Sequence, residues 1–186
     1  MNVVIFGATG MVGQGVLREC LLDPQVHRVV TVGRSATGQQ HPKLKEIVQA
    51  VFMELKIESV ELGISLVGAR EMILLNETFL KHEGSTDIIT FDYQEPGTGS
   101  QKPELKLHGE LFICVDEAIL QAKRFRSTWQ SEIVRYVVHG ILHLLGHDDV
   151  KPALRRRMKR EENRLVRRLS QKISFAQLSR TAKIGA

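Results

Sequence analysis

Residues 131–145 read as a helix that is apolar on most of its surface yet carries two histidines, His139 and His143. A helix of that kind is buried beside something polar, so it sets the centre of whatever the chain folds into. Histidines four apart share one helix face, with β-carbons about 5–6 Å apart, a spacing that suits one metal ion. A single histidine on an apolar face is more often a hydrogen-bonded core residue, but a pair followed by glycine and further polar residues favours a ligand set. Gly146 ends the helix by permitting a left-handed turn, and the reversed chain returns a third ligand from among His147, Asp148 and Asp149. Three protein ligands plus one position for water define a catalytic zinc site, in which the bound water's pKa falls toward about 7. The run therefore predicts hydrolytic chemistry. Gly140 stands where His-Glu-x-x-His peptidases carry their glutamate and cannot act as a general base, which favours a phosphodiester over a peptide substrate.

Around this run the pattern divides into three segments. Residues 1–42 read strand (Asn2–Phe6), glycine turn (Gly7–Gly13), helix (Gly15–Leu22), strand (Val29–Val32) and loop (Ser35–Pro42). Residues 43–149 read helix to Leu55, strand Val60–Val67, helix Ala69–Phe79, strand Asp87–Tyr93, loop Gln94–Lys106, strand Gly109–Val115, helix Glu117–Phe125 capped by Asp116, then the histidine helix. Pro152 opens a last helix to Gln171 with Leu154, Met158, Leu165 and Leu169 on one side. The expected domains are a truncated βαβ segment (1–42), a hydrolase domain with a basic terminal helix (43–172) and a loose tail (173–186). No apolar run approaches the roughly 20 residues of a membrane helix, and the first residues lack the features of a signal peptide, so a cytoplasmic protein is expected. Cys20 and Cys114, far apart and outside any Cys-x-x-Cys pair, read as reduced thiols.

Three segments taken together resemble one family. His139-Gly-Ile-Leu-His143-Leu-Leu-Gly146-His147-Asp148-Asp149 resembles the His-Gly-x-Leu-His-Leu-x-Gly-x-Asp-His signature of the YbeY family of bacterial metal-dependent endoribonucleases. Leu75-Asn76 with Thr86-Asp87-Ile88-Ile89-Thr90-Phe91, and Gly109-Glu110-Leu111-Phe112-Ile113-Cys114, are similar to two further segments of that family, in the same order over about residues 43–170. The resemblance implies an α+β fold, a small mixed sheet packed by helices like a zinc metalloprotease, preceded here by a βαβ-like extension. It implies a single-strand-specific endoribonuclease of ribosomal RNA maturation and ribosome quality control, with ribosomal RNA and the small ribosomal subunit as partners. It also implies that His139 and His143 are catalytic and that His139, His143 and Asp149 hold one divalent metal, zinc first. Asp149 departs from the family's third histidine, with His147 as its rival. A carboxylate ligand lowers the pull on bound water and widens metal choice toward Mn or Fe. A second departure is Leu80, where the family carries an arginine; Lys81 or His82 is a nearby cation that could replace it, and plain surface exposure in a loop is the competing reading for both.

Gly7-Ala8-Thr9-Gly10-Met11-Val12-Gly13 resembles the dinucleotide-binding turn of short-chain dehydrogenases and epimerases, and Arg34 an arginine that accommodates a 2′-phosphate. That likeness stops near Pro42, short of a whole nucleotide crevice. An NAD(P)-binding oxidoreductase fragment is thus one alternative reading, and a catalytically impaired RNA- or ribosome-associated module another, with a metallopeptidase behind both. The net charge of +5 gathers at the C-terminus, where residues 151–186 hold 12 Lys+Arg against 2 Asp+Glu. Arginines of that helix are suited to RNA backbone; a solvated amphipathic face is the competing reading.

Overall fold

The computed structural model describes residues 2–6, 25, 28–32, 42–57, 59–94 and 106–178. Two compact units share these residues. In the first, β1 (Asn2–Phe6) pairs in parallel with β2 (Arg28–Val32). The expected glycine turn, the helix after it and Arg34 lie outside the described residues.

The second unit is α+β. Helix α1 (Pro42–Leu55) leads to β3 (Ser59–Val67), α2 (Ala69–Leu75) with a π-helical turn (Asn76–Leu80), β4 (Ile88–Asp92) and β5 (Lys106–Cys114). Helices α3 (Val115–Phe125), α4 (Trp129–Leu144) and α5 (Pro152–Lys172) follow, then a 3₁₀ turn (Phe175–Gln177). The sheet order is β3-β5-β4, with β5 parallel to β3 and antiparallel to β4. Nine register pairs join β3 to β5, which is why β5 begins three residues earlier than its local β-pattern suggests.

Val67 and Cys114 are register partners, so β3 and β5 end side by side and both run into helices. That adjacency corrects the expected capping. Asp116 lies inside α3, and its carboxylate accepts from Ala69 N at 2.7 Å, satisfying an orphan donor of the neighbouring α2. Glu71 accepts from Gly68 N at 3.1 Å and completes that helix start.

The histidine helix α4 is the centre of the unit. Thr128 caps it, accepting from Ser131 N at 3.2 Å. Ten of its sixteen residues are buried, so it has core on most sides rather than one apolar stripe. Ile133, Val137, Ile141 and Leu142 pack with Leu111 and Ile113 of β5, Ile47 and Val51 of α1, and Leu165 and Leu169 of α5. Each such side chain contributes roughly 1.5–3 kcal/mol of burial. Ile173 and Leu178 join this core with Leu178 only 2% exposed, so the expected loose tail is packed as far as residue 178. No helix among the described residues is long and apolar enough to cross a membrane.

Two cations of α5 clamp it to one carboxylate of α1. Lys172 and Arg168 donate to Glu54 at 2.6 and 2.8 Å, and these hydrogen bonds hold the Glu54 carboxyl at about 2 instead of 4.5. A folded pKa below the unfolded one contributes stability that is fully present above the unfolded value and lost as pH falls through the folded one. The urea midpoint of wild type should therefore exceed that of Glu54→Gln by a constant margin above pH 4.5. The margin should shrink between there and pH 2; a margin unchanged across that window would exclude the clamp.

Candidate metal centre

His139 and His143 emerge from the one partly open face of α4, and each ring is oriented by its Nδ1. His139 Nδ1 lies 3.2 Å from a carboxylate oxygen of Glu162 on α5. His143 Nδ1 lies 3.0 Å from the main-chain carbonyl of His147. An ionised carboxylate and a carbonyl can only accept, so both protons sit on Nδ1 and both Nε2 lone pairs face the space between the rings. The two Nε2 atoms are 3.0 Å apart. Two bare lone pairs at that distance repel; the gap takes either a single proton or a metal ion. Tetrahedral zinc with Zn–N of about 2.0–2.1 Å would hold them ~3.3 Å apart, close to what is seen.

Asp149 supplies the third donor. Its Oδ1 lies 3.9 Å from His143 Nε2, and donor atoms of His139, His143 and Asp149 all lie within 4.8 Å of one another. It is the one group of three possible ligands among the described residues. Local backbone explains the placement. Gly146 adopts φ of 80°, and His147 N returns to Leu142 O at 3.0 Å, so the chain reverses within one turn of the helix end. This reversal directs the carbonyl of His147 toward His143 and carries Asp149 to the ring edges, whereas the His147 ring is outside the group. Burial, and then the neighbouring His139, push the His143 pKa down, which keeps the ring neutral as a ligand must be.

Glu162 is what sequence reading missed. Only 3% exposed, it accepts from His139, from Lys159 at 2.8 Å and from Arg135. Burial drives its carboxyl upward, but hydrogen bonds from His139, Lys159 and Arg135 outweigh that and hold it at about 2. Such a carboxylate–histidine pair fixes the tautomer and the orientation of the imidazole. A signal was present: Met158, Glu162, Leu165 and Leu169 share one helical register, and an acidic residue there is directed inward.

A cleft of about 340 Å³ opens beside the pair, lined by Asp87, Arg135, Tyr136, His139, Asp149, Arg155, Met158, Lys159 and Glu162. Asp87 precedes β4, and its carbonyl accepts from Cys114 N at 2.9 Å, which sets the cleft at this end of the sheet. Asn76, 5% exposed, donates to Gly84 O at 2.9 Å and ties the π turn to the loop before β4. Burial first, then Asp87, raise the Tyr136 hydroxyl above its ordinary pKa, so it stays a neutral phenol. Leu80 is 45% exposed at the end of the π turn. Neither of its proposed substitutes reaches the cleft: Lys81 folds back to Thr78 O at 3.1 Å, and His82 is exposed.

Comparison with known proteins places the chain in a family. The pattern of the family described as Endoribonuclease YbeY matches residues 33–170, ten residues further upstream than the motifs alone marked. An Endoribonuclease YbeY of Chlorobium phaeovibrioides is 36% identical over 132 residues, covering 71% of this chain and 84% of that one. One from Chlorobaculum parvum is 34% identical, covering 68% and 84%. The match to a Myxococcus xanthus relative, 37% identical, spans 63% of this chain and only 40% of that longer protein. The solution structure of TM1509 from Thermotoga maritima shares the fold, with a TM-score of 0.51, 22% identity and coverage of 100% of this chain and 99% of that one. A match to the family pattern over residues 33–170, with relatives above 30% identity that cover most of both chains, makes this chain a member of the YbeY endoribonuclease family.

Proposed function

We propose that this protein is a metal-dependent endoribonuclease that cuts single-stranded stretches of ribosomal RNA during maturation and quality control of the small ribosomal subunit, in the cytoplasm. The observation that carries the reading is the paired orientation of His139 and His143, each Nδ1 anchored to an acceptor and each Nε2 turned to a common point beside Asp149. Two imidazoles and one carboxylate suit zinc first, with manganese or iron as substitutes. When bound, the ion supplies Lewis acidity toward a phosphoryl oxygen and lowers the pKa of a coordinated water. The chain's own part is positional. Glu162 and the His147 carbonyl hold the two rings, the Gly146 turn holds Asp149, and Arg135, Arg155 and Lys159 give the cleft the charge a phosphate backbone needs. Gly140 leaves the helix without a glutamate base, which fits a substrate whose cleavage relies on the metal.

Metal analysis tests this directly. Purified wild type should carry one equivalent of divalent metal per chain, and His139→Ala and His143→Ala should each lose it. Structured ribosomal RNA should be cut by wild type and not by His143→Ala. Metal content unchanged in both variants would sink the site, and equal residual cleavage by both proteins would assign the activity to a contaminant.

A further inference from the structure

Three cations line the cleft next to His139 and Asp149, and two of them already share the Glu162 carboxylate. Arg135 donates to Glu162 and, at 2.8 Å, to Asn163; Lys159 donates to Glu162 at 2.8 Å. Arg155, an exposed residue in the first turns of α5, is held differently. Its Nε donates to the main-chain carbonyl of Asp149 at 2.8 Å, and no carboxylate of the described residues lies within 4.0 Å of its nitrogens. A neutral carbonyl fixes the guanidinium without cancelling its charge. The Nη donors remain for another acceptor, and the fork is attached to the very residue that offers the third metal ligand.

We propose that Arg155 is a catalytic residue that binds the scissile phosphate, its Nη groups donating to a non-bridging oxygen while the same phosphate lies against the His139–His143–Asp149 face. The assignment deepens the endoribonuclease reading and rests on it for the identity of the substrate. Charge supports it. A carboxylate ligand leaves the centre one positive charge poorer than a histidine would, and Arg155 returns one to the same place. A fixed guanidinium also meets the charge that develops on the equatorial oxygens during phosphoryl transfer with little reorganisation. Lys81 and His82 have no access to that position.

The test compares zinc-loaded wild type, Arg155→Ala and Arg155→Lys. Three quantities are read: metal per chain, the Kd of inorganic phosphate by calorimetry, and cleavage of a single-stranded RNA oligonucleotide. Arg155→Ala should keep its metal and thermal midpoint, bind phosphate about 10-fold more weakly and lose about 100-fold in kcat/KM, the scale of removing one positioned donor. Arg155→Lys should recover part of the phosphate affinity, since it restores charge but not the fork. An unchanged phosphate Kd in Arg155→Ala overturns the proposal, as does wild type that binds no phosphate. Loss of metal from Arg155→Ala also overturns it, by making the residue a brace for Asp149. Phosphate binding that depends on Arg155 in a wild type that cuts no RNA would sustain the assignment and defeat the endoribonuclease reading instead.

Discussion

Glu162→Ala should weaken metal binding by about 10- to 100-fold, the usual cost of removing the carboxylate behind a ligating histidine. His139 would lose the acceptor that keeps its proton on Nδ1, and the ring would be free to turn or to switch tautomer. The fold should suffer too. Arg135 would keep only Asn163 and the more distant Glu132, and Lys159 would return to water, a loss of about 1–2 kcal/mol since no charge is left buried. Glu162→Gln separates the two effects: its amide oxygen still accepts from His139, so metal affinity should fall less than in the alanine variant. Glu161→Gln is the control, since that carboxylate pairs with Arg164 away from the cleft. Competition with a chromogenic chelator gives the affinities and urea unfolding the stabilities. Equal metal affinity in wild type and Glu162→Ala would remove the residue from the site.

The second large effect concerns space. A β-carbon on Gly140 would come within 2.7 Å of Ile88 Cδ1 and of Leu111 Cδ2, closer than side chains tolerate. Gly140→Ala should therefore destabilise the protein by about 1 kcal/mol despite the better helix propensity of alanine, because the terminal methyls of Ile88 and Leu111 would have to swing aside within a packed core. On a domain of this size that is a fall of several degrees in Tm. The glutamate of a His-Glu-x-x-His peptidase cannot be built here, since its side chain would enter the contact between α4 and β4–β5 without a partner for its charge. A Gly140→Ala protein as stable as wild type would show that the helix has room to spare.

The parts of this site that are local in sequence were legible there. His139 and His143 follow from helical spacing, and the turn at Gly146 from a glycine placed just past the last apolar residue. Asp149 needed the turn geometry to separate it from His147, because both lie within reach of a reversed chain. Local rules offer Asp116 one role, as the cap of its own helix. Its real partner, Ala69, is 47 residues away and comes near because β3 and β5 end together. Ile173 and Leu178 are too few and too widely spaced to give a period, so their burial depends on α5 docking first. Glu162 belongs to the same class: its role exists only once α5 lies against α4.

The two ring anchors differ in a way that bears on how this site tolerates genetic drift. His143 is oriented by the peptide carbonyl at position 147, an atom every amino acid supplies, so most replacements of His147 leave the anchor in place. Proline is the exception, since it would remove the N–H that returns to Leu142. His139 depends on one particular side chain, and few codon changes at 162 preserve an acceptor of the right length. Random mutation should thus disable the first ligand through a remote helix far more often than the second. Inactivating changes sought in this protein should be expected in α5 as readily as in the histidine run itself.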